Sequence, residues 1–218
     1  GNWPGKTVTR AEGGYVFNNV RYKLVDLPGT YSLLSASQDE EVARNFILFG
    51  QPDCTVVVTD ATALERNLNL VLQVMEITDH VVVAVNLMDE ARRKGMDVDT
   101  RSLSRDLGVP AIPIVARTGE GMQGLLVTVD QVIRGEIATK PRRANGTPAF
   151  QRAVDELVPQ IKQLSPEMPN PRWIAIRLLD GDSRIEQALL SGELVELATA
   201  QRRGEAQFSQ KIALSGRQ

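Results

Sequence analysis

The sequence predicts an α/β protein with a doubly wound, mostly parallel sheet and one antiparallel edge strand, followed by a small all-helical domain. Three patterns support this: a hairpin near the start, alternating apolar strands and amphipathic helices as far as Ile133, and purely helical periodicity after Pro148. Between Gly135 and Pro148 the chain is polar and has no apolar periodicity. We therefore expect a first domain over 1–138 and a helical domain over 147–218.

The first two strands are predicted to form an antiparallel hairpin. Asn18-Asn19 separates two runs rich in aromatic and β-branched residues, and asparagine tolerates the positive φ angles of a tight hairpin turn. The second run ends at Asp26, and Pro28-Gly29 then stops the strand. Asp26 is therefore expected at the carboxyl edge of the sheet, where open α/β sheets bind ligands.

Three further strands are predicted at 54–59, 81–85 and 111–115. They are almost wholly apolar, as parallel strands covered on both faces are. Apolar residues at helical spacing predict helices around and after these strands. These helices are expected near 42–49, 64–75, 103–107 and 122–133, then at 150–161, 171–179, 182–190 and from about 193 into the 200s.

The composition excludes several classes of function. The chain of 218 residues has 25 basic and 27 acidic side chains, so no global positive field favours nucleic acid. One cysteine and one histidine argue against a disulfide framework and against zinc. No apolar run reaches the length of a transmembrane helix, and we expect a soluble chain.

A candidate base-binding motif follows the strand at 81–85. Asn86-Leu87-Met88-Asp89 places two polar side chains at the carboxyl edge of the sheet. A carboxylate can accept hydrogen bonds from guanine N1–H and the exocyclic amine together, and adenine lacks this donor pair, so such a site discriminates strongly. The alternative, that Asn86 and Asp89 only cap the next helix, stays open from these residues alone.

The order of the motifs is more informative than any one of them. Thr7 lies in a glycine-rich loop, Asp26-x-x-Gly29 follows one strand, Asn86-x-x-Asp89 a later one, and Ala116 the next. Each is common by itself, and Asp26-x-x-Gly29 could be a simple acidic turn. Together they favour a site for a Mg²⁺-bound nucleotide.

These residues resemble the cytosolic G domain and helical domain of the FeoB family of ferrous-iron transport proteins, over nearly the whole chain. The matching segments are Gly1-Asn2-Trp3-Pro4-Gly5-x-Thr7-Val8, Asp26-Leu27-Pro28-Gly29-Thr30-Tyr31-Ser32-Leu33, Asn86-Leu87-Met88-Asp89 and Trp173-Ile174-Ala175-Ile176-Arg177-Leu178-Leu179-Asp180-Gly181-Asp182. The resemblance implies a P-loop GTPase-like fold for the first domain.

The resemblance also implies roles for individual residues. Thr7 would be the switch I threonine on Mg²⁺, and Asp26 and Gly29 would be the switch II contacts to the metal and the γ-phosphate. Thr7, Gly29 and Thr30 are the predicted catalytic residues, and Thr7 and Asp26 the predicted metal ligands. Asn86 and Asp89 would read guanine, and Val115, Ala116 and Arg117 would complete the base site. The family usually has serine where this chain has Ala116, which leaves only a backbone contact there.

The function implied by the resemblance is binding and slow hydrolysis of GTP, coupled to Fe(II) uptake across a bacterial inner membrane, on its cytoplasmic side. GTP or GDP and Mg²⁺ would be the cofactors, with K⁺ as a further candidate. The implied partners are a membrane permease domain of the same polypeptide, a small FeoA-like protein and a second copy of the chain. A non-catalytic regulatory module and a soluble Era-like GTPase remain as alternatives.

One expected motif is absent from the sequence. No G-x-x-x-x-G-K-[ST] phosphate loop occurs, although that loop supplies backbone N–H groups, a lysine and a Mg²⁺ hydroxyl. In the family the loop precedes the residue matching Gly1, on a strand near the middle of the sheet. We therefore expect that the sequence begins inside a larger protein, and that the chain as printed binds GTP poorly.

Overall fold

A computed structural model describes residues 11–34, 37–144, 146–205 and 211–215. The chain divides into two compact units: one is built around a sheet, and the other, the helical unit, contains the helices after Ala144 together with Leu48–Gly50. The strands are β1 (Ala11–Phe17), β2 (Val20–Asp26), β3 (Cys54–Asp60), β4 (Val81–Asn86), β5 (Ala111–Pro113) and β6 (Lys211–Ser215). The helices are α1 (Gln38–Gly50), α2 (Leu64–Ile77), α3 (Met88–Arg93), α4 (Thr100–Leu107), α5 (Met122–Ile133), α6 (Pro148–Leu164), α7 (Pro171–Leu179), α8 (Ser183–Leu190) and α9 (Glu193–Glu205).

The sheet has the order β1-β2-β6-β3-β4-β5. The β1–β2 pair is antiparallel, and β6 runs parallel to both β2 and β3, as β4 does to β3 and β5. The predicted fold class, a mostly parallel α/β sheet with one antiparallel edge strand and a helical part after it, is therefore confirmed.

The hairpin forms where its sequence predicts it. Asn18 and Asn19 have φ angles of 48° and 61°, the left-handed conformation that a two-residue hairpin turn requires. Phe17 and Val20 pair across this turn, and the register continues from there to Ala11 and Asp26. In this register Asp26, the last residue of β2, pairs with Ala11.

The centre of the sheet is buried on both faces. Side chains of β3 and β4, including Val57 and the run 81–85, are almost completely inaccessible to solvent. Their β-branched character fits a strand packed between helices, and each fully buried valine contributes about 1.5 kcal/mol or more to folding. The adjacent helices α2 and α5 contribute Val71, Val74 and Val129 to this core.

A buried polar cluster joins the hairpin to α5. The carboxylate of Asp130 accepts hydrogen bonds from the Tyr22 hydroxyl, from Asn18 Nδ2 at 3.1 Å and from Arg134 Nε at 2.9 Å. Burial by itself raises the pKa of Asp130, but these hydrogen bonds outweigh burial and lower it. Burial, followed by the contact with Asp130, raises the pKa of Tyr22 to about 12. Asp130 is thus an ionised, satisfied anchor for the hairpin.

Capping side chains set the helix starts in the second unit. Thr147, Asn170 and Asp182 accept hydrogen bonds from the backbone N–H groups of Phe150, Trp173 and Ile185, at 3.0 to 3.2 Å. Such caps satisfy donors that have no partner inside the helix. The apolar faces bury residues such as Val154, Ile161, Trp173, Ile174 and Ile185.

Two elements differ from the prediction. β5 ends at Pro113 instead of residue 115, since proline has no N–H for the ladder, and Val115 makes only an isolated bridge to Glu120. The predicted helical domain extended to residue 218, but Lys211–Ser215 forms β6 and pairs with β2 and β3 in the sheet. The local sequence did not predict this strand.

Candidate nucleotide site

Polar side chains end three strands of the sheet at one edge. Asp26 closes β2, Asp60 closes β3 and Asn86 closes β4, and Asp60 and Asn86 are direct partners in the β3–β4 register. Because β2, β3, β4 and the intervening β6 are parallel, their carboxyl ends share one edge. That edge is where doubly wound sheets bind ligands.

Asn86 joins two loops at this edge. Its Oδ1 atom accepts a hydrogen bond from the backbone N–H of Ala116 at 3.0 Å. Leu87 then takes a left-handed conformation, with φ 62°, and α3 begins at Met88. This turn places Asp89 in the first turn of α3, beside the loop that follows β5. The structure thus brings together the predicted residues Asn86, Asp89 and Ala116.

Asp89 is held by an arginine from that loop. Arg117 donates to Asp89 Oδ2 at 2.8 Å, and this hydrogen bond is the main reason why the pKa of Asp89 is lowered. The Arg117 side chain is 73% exposed, whereas that of Asp89 is 23% exposed. The second oxygen, Asp89 Oδ1, is buried and accepts no hydrogen bond from the residues that the structure describes. An ionised carboxylate with an unsatisfied buried oxygen suits a ligand that donates N–H groups.

The loop over 115–121 is closed on itself by backbone hydrogen bonds. Val115 N donates to the Glu120 carbonyl at 2.9 Å, and the Val115 carbonyl accepts from Gly119 N at 3.0 Å. Both backbone polar groups of Val115 are therefore used inside the loop, so Val115 shapes the site through the loop. The Arg92 side chain on α3 pairs with Glu120 at 2.6 Å, which gives a second link between α3 and the loop.

The turn after β2 is tied to α2. The Gln73 side-chain carbonyl accepts from Leu33 N at 2.6 Å and from the Ser32 hydroxyl at 3.2 Å. The Thr30 side chain is buried, and its hydroxyl donates to the Ser32 carbonyl at 2.5 Å and accepts from Ser32 N at 3.2 Å. The Thr30 hydroxyl is thus engaged within its own turn, while Gly29 is exposed.

The predicted site residues fall into three groups. Asn86, Asp89, Val115, Ala116 and Arg117 lie together on α3, the end of β4 and the loop after β5. Asp26 is the last residue of β2, and Gly29 and Thr30 lie in the turn that follows it. Thr7 lies outside the described residues.

Sequence reasoning missed three contributors to the site: Asp60, Gln73 and the Arg92–Glu120 pair. Asp60 had a signal, since it ends a buried strand in the same way as Asp26. Its Oδ1 accepts from Thr62 N at 2.6 Å and caps a short 3₁₀ turn. No sequence signal marked Gln73 or Glu120, because their roles depend on contacts between segments far apart in the chain.

Two searches of the described part of the chain gave negative results. No three His, Cys, Asp or Glu side chains cluster there as a metal site of protein ligands alone requires. None of the helices that the structure describes combines the length and the hydropathy needed to cross a bilayer.

The fold defines the class of protein: a G-domain-like α/β sheet whose polar edge carries the candidate site, followed by a helical domain. Family comparison agrees for both parts. The family described as "Ferrous iron transport protein B" matches residues 1–129, and the "FeoB cytosolic helical domain" matches residues 147–214. The chain belongs to the FeoB family.

Individual relatives support this membership. The chain is 36% identical over 186 residues to the Fe(2+) transporter FeoB of Salmonella typhimurium, covering 84% of this chain and 24% of the relative. Against the Escherichia coli K12 protein the identity is 35% over 192 residues, with the same coverage. The chain therefore spans about a quarter of the length of the curated relatives that it matches.

Solved structures give the same result. The cytosolic domain of T. maritima FeoB in its apo form matches with a TM-score of 0.75 and 30% identity, covering 90% of this chain and 75% of that one. The cytosolic domain of L. pneumophila FeoB has a TM-score of 0.74 and 34% identity over 90% of this chain and 78% of that one. The Methanococcus jannaschii FeoB G domain covers 56% of this chain and 79% of that one, with 41% identity and a TM-score of 0.55.

Proposed function

We propose that, within the longer transporter, this chain binds guanine nucleotides, hydrolyses GTP slowly and couples nucleotide state to Fe(II) uptake. The observation that carries the proposal is the base side of the site. Asn86 fixes the loop after β5 through Ala116, and Asp89 keeps a buried oxygen without a hydrogen bond among the described residues.

This arrangement has the chemistry for guanine. Guanine N1–H and its exocyclic amine can donate to the Asp89 carboxylate, whereas adenine would leave a buried charge unsatisfied. A site built to bind such donors typically disfavours an analogue that lacks them by a factor of ~10⁴. Relatives support the ligand class: the T. maritima cytosolic domain has been solved in a GDP form and in a GMPPNP form.

On the phosphate side, we propose that Asp26 with Thr7 holds Mg²⁺ and that Gly29 contacts the γ-phosphate. Carboxylate and hydroxyl oxygens are the donors that Mg²⁺ accepts, together with phosphate oxygens and water. The bound ion would neutralise phosphate charge. The exposed backbone of Gly29, with no side chain, allows a phosphate to approach closely.

The residues of the turn after β2 lead us to expect slow hydrolysis of GTP. Thr30 follows Asp-x-x-Gly where Ras-like enzymes carry a water-orienting glutamine. Since the Thr30 hydroxyl is bonded to Ser32 on both its donor and acceptor sides, it does not replace that glutamine. We propose that added positive charge, such as K⁺ near the phosphates, raises the rate.

The wider role rests on the longer relatives. We propose that the chain acts at the cytoplasmic face of a bacterial inner membrane and passes its nucleotide state to a permease domain of the same polypeptide. A FeoA-like protein and a second copy of the chain are further proposed partners. Family membership is the support for these steps.

Base recognition can be tested without the phosphate loop. We expect millimolar GMP to shift the amide signals of Asn86, Asp89 and Ala116 in NMR spectra of the chain, and AMP at the same concentration to leave them unchanged. Asp89→Ala should abolish the GMP response. The matched control is Asp106→Asn, since Asp106 is an exposed carboxylate on α4. If Asp89→Ala retained a preference for GMP over AMP, the base assignment would be wrong.

A further inference from the structure

Two side chains of α2 contact the turn that follows β2. Gln73 Oε1 accepts hydrogen bonds from Leu33 N at 2.6 Å and from the Ser32 hydroxyl at 3.2 Å. The guanidinium carbon of Arg66 lies 4.1 Å from the centroid of the Tyr31 ring, within the range of a cation–π contact. Gln73 follows Arg66 by two helical turns, so both side chains lie on one face of α2. That face therefore contacts the consecutive residues Tyr31, Ser32 and Leu33.

Hydrogen bonds inside the turn extend this restraint toward Gly29. The Thr30 hydroxyl donates to the Ser32 carbonyl at 2.5 Å and accepts from Ser32 N at 3.2 Å. The side chains of Thr30 and Leu33 are buried, whereas Gly29 is exposed. The buried side of the turn is thus fixed to α2 through Gln73, and the exposed backbone of Gly29 is held beside the end of β2.

Gln73 is suited to hold the turn because it supplies an acceptor that the turn itself does not. The Leu33 N–H lies beside a side chain that is only 2% exposed, and a buried N–H without an acceptor is costly. Gln73 is half-buried and satisfies this donor. The conformation in which Gln73 accepts from Leu33 is therefore favoured over others that the turn could adopt.

We propose that Gln73 and Arg66 are positioning residues of the nucleotide site, which hold the turn so that the backbone N–H of Gly29 is preorganised for a γ-phosphate. This inference rests on the proposed function, in which Gly29 contacts that phosphate. A turn that is already ordered loses less conformational freedom when the ligand binds. Without the restraint only a fraction of the molecules has the competent turn, and the apparent Kd rises by the inverse of that fraction.

The affinities for two nucleotides that differ by the γ-phosphate test this role. In the longer protein that contains this chain, Gln73→Met should raise the Kd for GMPPNP about three- to tenfold, as expected for the loss of one hydrogen bond. The Kd for GDP should stay within about twofold, because GDP has no γ-phosphate to meet Gly29. Arg66→Gln should have a smaller effect on GMPPNP, about two- to fivefold, since Arg66 is exposed. Equilibrium competition against a fluorescent GDP analogue measures each Kd.

Asn69→Met is the matched control. Asn69 is an exposed amide on α2 between Arg66 and Gln73, and it makes no hydrogen bond to the turn among the described residues. Both Kd values should be unchanged in this variant. If Gln73→Met leaves both Kd values unchanged, or raises them equally, the positioning role is wrong and the proposed function survives. If the unaltered protein binds neither nucleotide, the proposed function fails and this inference fails with it.

Amide exchange in the chain itself separates a local effect from loss of the fold. In Gln73→Met the Leu33 amide should exchange about three- to tenfold faster than in the unaltered chain, because its acceptor is gone. The amides of Val57 and Val83, in the centre of the sheet, should keep their rates. An equal rate at Leu33 in both proteins would show that Gln73 does not hold the turn and would refute the proposal.

Discussion

At the scale of single residues, Asp89 and Arg117 form the most informative pair in the base site. Arg117 is mostly exposed and donates to one oxygen of Asp89, while the other oxygen is buried. The arginine thus keeps the carboxylate ionised and leaves one oxygen for a ligand. A carboxylate must be ionised to accept both guanine donors, so this pair links base recognition to pH.

The first prediction concerns that link. Arg117 lowers the pKa of Asp89, so the wild-type site should keep its charge, and its GMP response, to a lower pH than Arg117→Gln. NMR titration of GMP between pH 7 and pH 4 would measure this. Arg105→Gln is the control, because Arg105 pairs with Asp106 on α4. Identical pH profiles for wild type and Arg117→Gln would contradict the role given to Arg117.

The second prediction concerns Asp130. Asp130→Ala removes the shared acceptor of Tyr22, Asn18 and Arg134 and should lower the free energy of unfolding by about 2–4 kcal/mol, measured by urea denaturation. Asp106→Asn, on the exposed face of α4, should change it by less than about 0.5 kcal/mol. Equal stabilities of the two variants would exclude an anchoring role for Asp130.

Asp130 also gives a pH dependence with a definite sign. Its pKa is lower in the folded state than the ordinary value near 4, so its ionised form stabilises the fold above pH ~4. That contribution is lost as the pH falls below ~4 through the folded-state pKa. Wild type should therefore lose more stability than Asp130→Asn between pH 6 and pH 3, and an equal loss would contradict the assignment.

At the scale of elements, the loop over 115–121 depends on one glycine. Gly121 has φ 78°, and an added Cβ atom would lie 2.2 Å from the carbonyl oxygen of Pro113. Gly119 also has a positive φ of 81°, yet a Cβ atom there would meet nothing within 4 Å. The two positions therefore separate a steric clash from backbone strain alone.

The third prediction uses this contrast. Gly119→Ala should cost about 1 kcal/mol of unfolding free energy through strain, and Gly121→Ala should cost more, roughly 2–4 kcal/mol, because backbone must also move. Gly121→Ala should in addition weaken GMP binding, since the displaced loop carries Ala116 and Arg117. Thermal unfolding and NMR titration measure the two effects, and equal costs at both glycines would refute the steric argument.

Elements with strong local signals could be predicted from the sequence. Asn18-Asn19 has the positive-φ turn that its residue types predict, and β3 and β4 match the apolar runs that indicated them. β6 could not be assigned in this way, because five residues after a helical region have no local pattern strong enough. The position of β6 depends on its backbone pairing with β2 and β3, and these two strands are brought together only in the folded sheet.

The same distinction holds within the site. Asn86 and Asp89 could be predicted because a buried strand fixes their position along the chain. The ion pair between Arg117 and Asp89, and the use of Gln73 by the turn after β2, could not, since each depends on side chains from separate segments meeting in space. Local sequence determines which residue ends a strand, and packing determines what that residue contacts.

At the scale of the whole molecule, the fourth prediction concerns hydrolysis in the longer protein that contains this chain. Phosphate release from GTP should be slow, and faster in K⁺ than in Na⁺ at equal ionic strength, because Thr30 supplies no charge or oriented water. ATP serves as the nucleotide control and should give no comparable rate. Equal rates in K⁺ and Na⁺ would exclude a specific role for K⁺.

The position of β6 also affects how the molecule folds. Its pairings join residues near 24 and 54 to residues near 212, so the middle of the sheet closes across most of the length of the chain. Contacts between such distant residues form slowly, because the loop must close before the pairing gives any stability. Among the strands that the structure describes, the hairpin, β3 and β4 all precede β6 in the chain. No other described strand lies between the facing edges of β2 and β3, so without β6 both of these edges would be open to pairing with other chains.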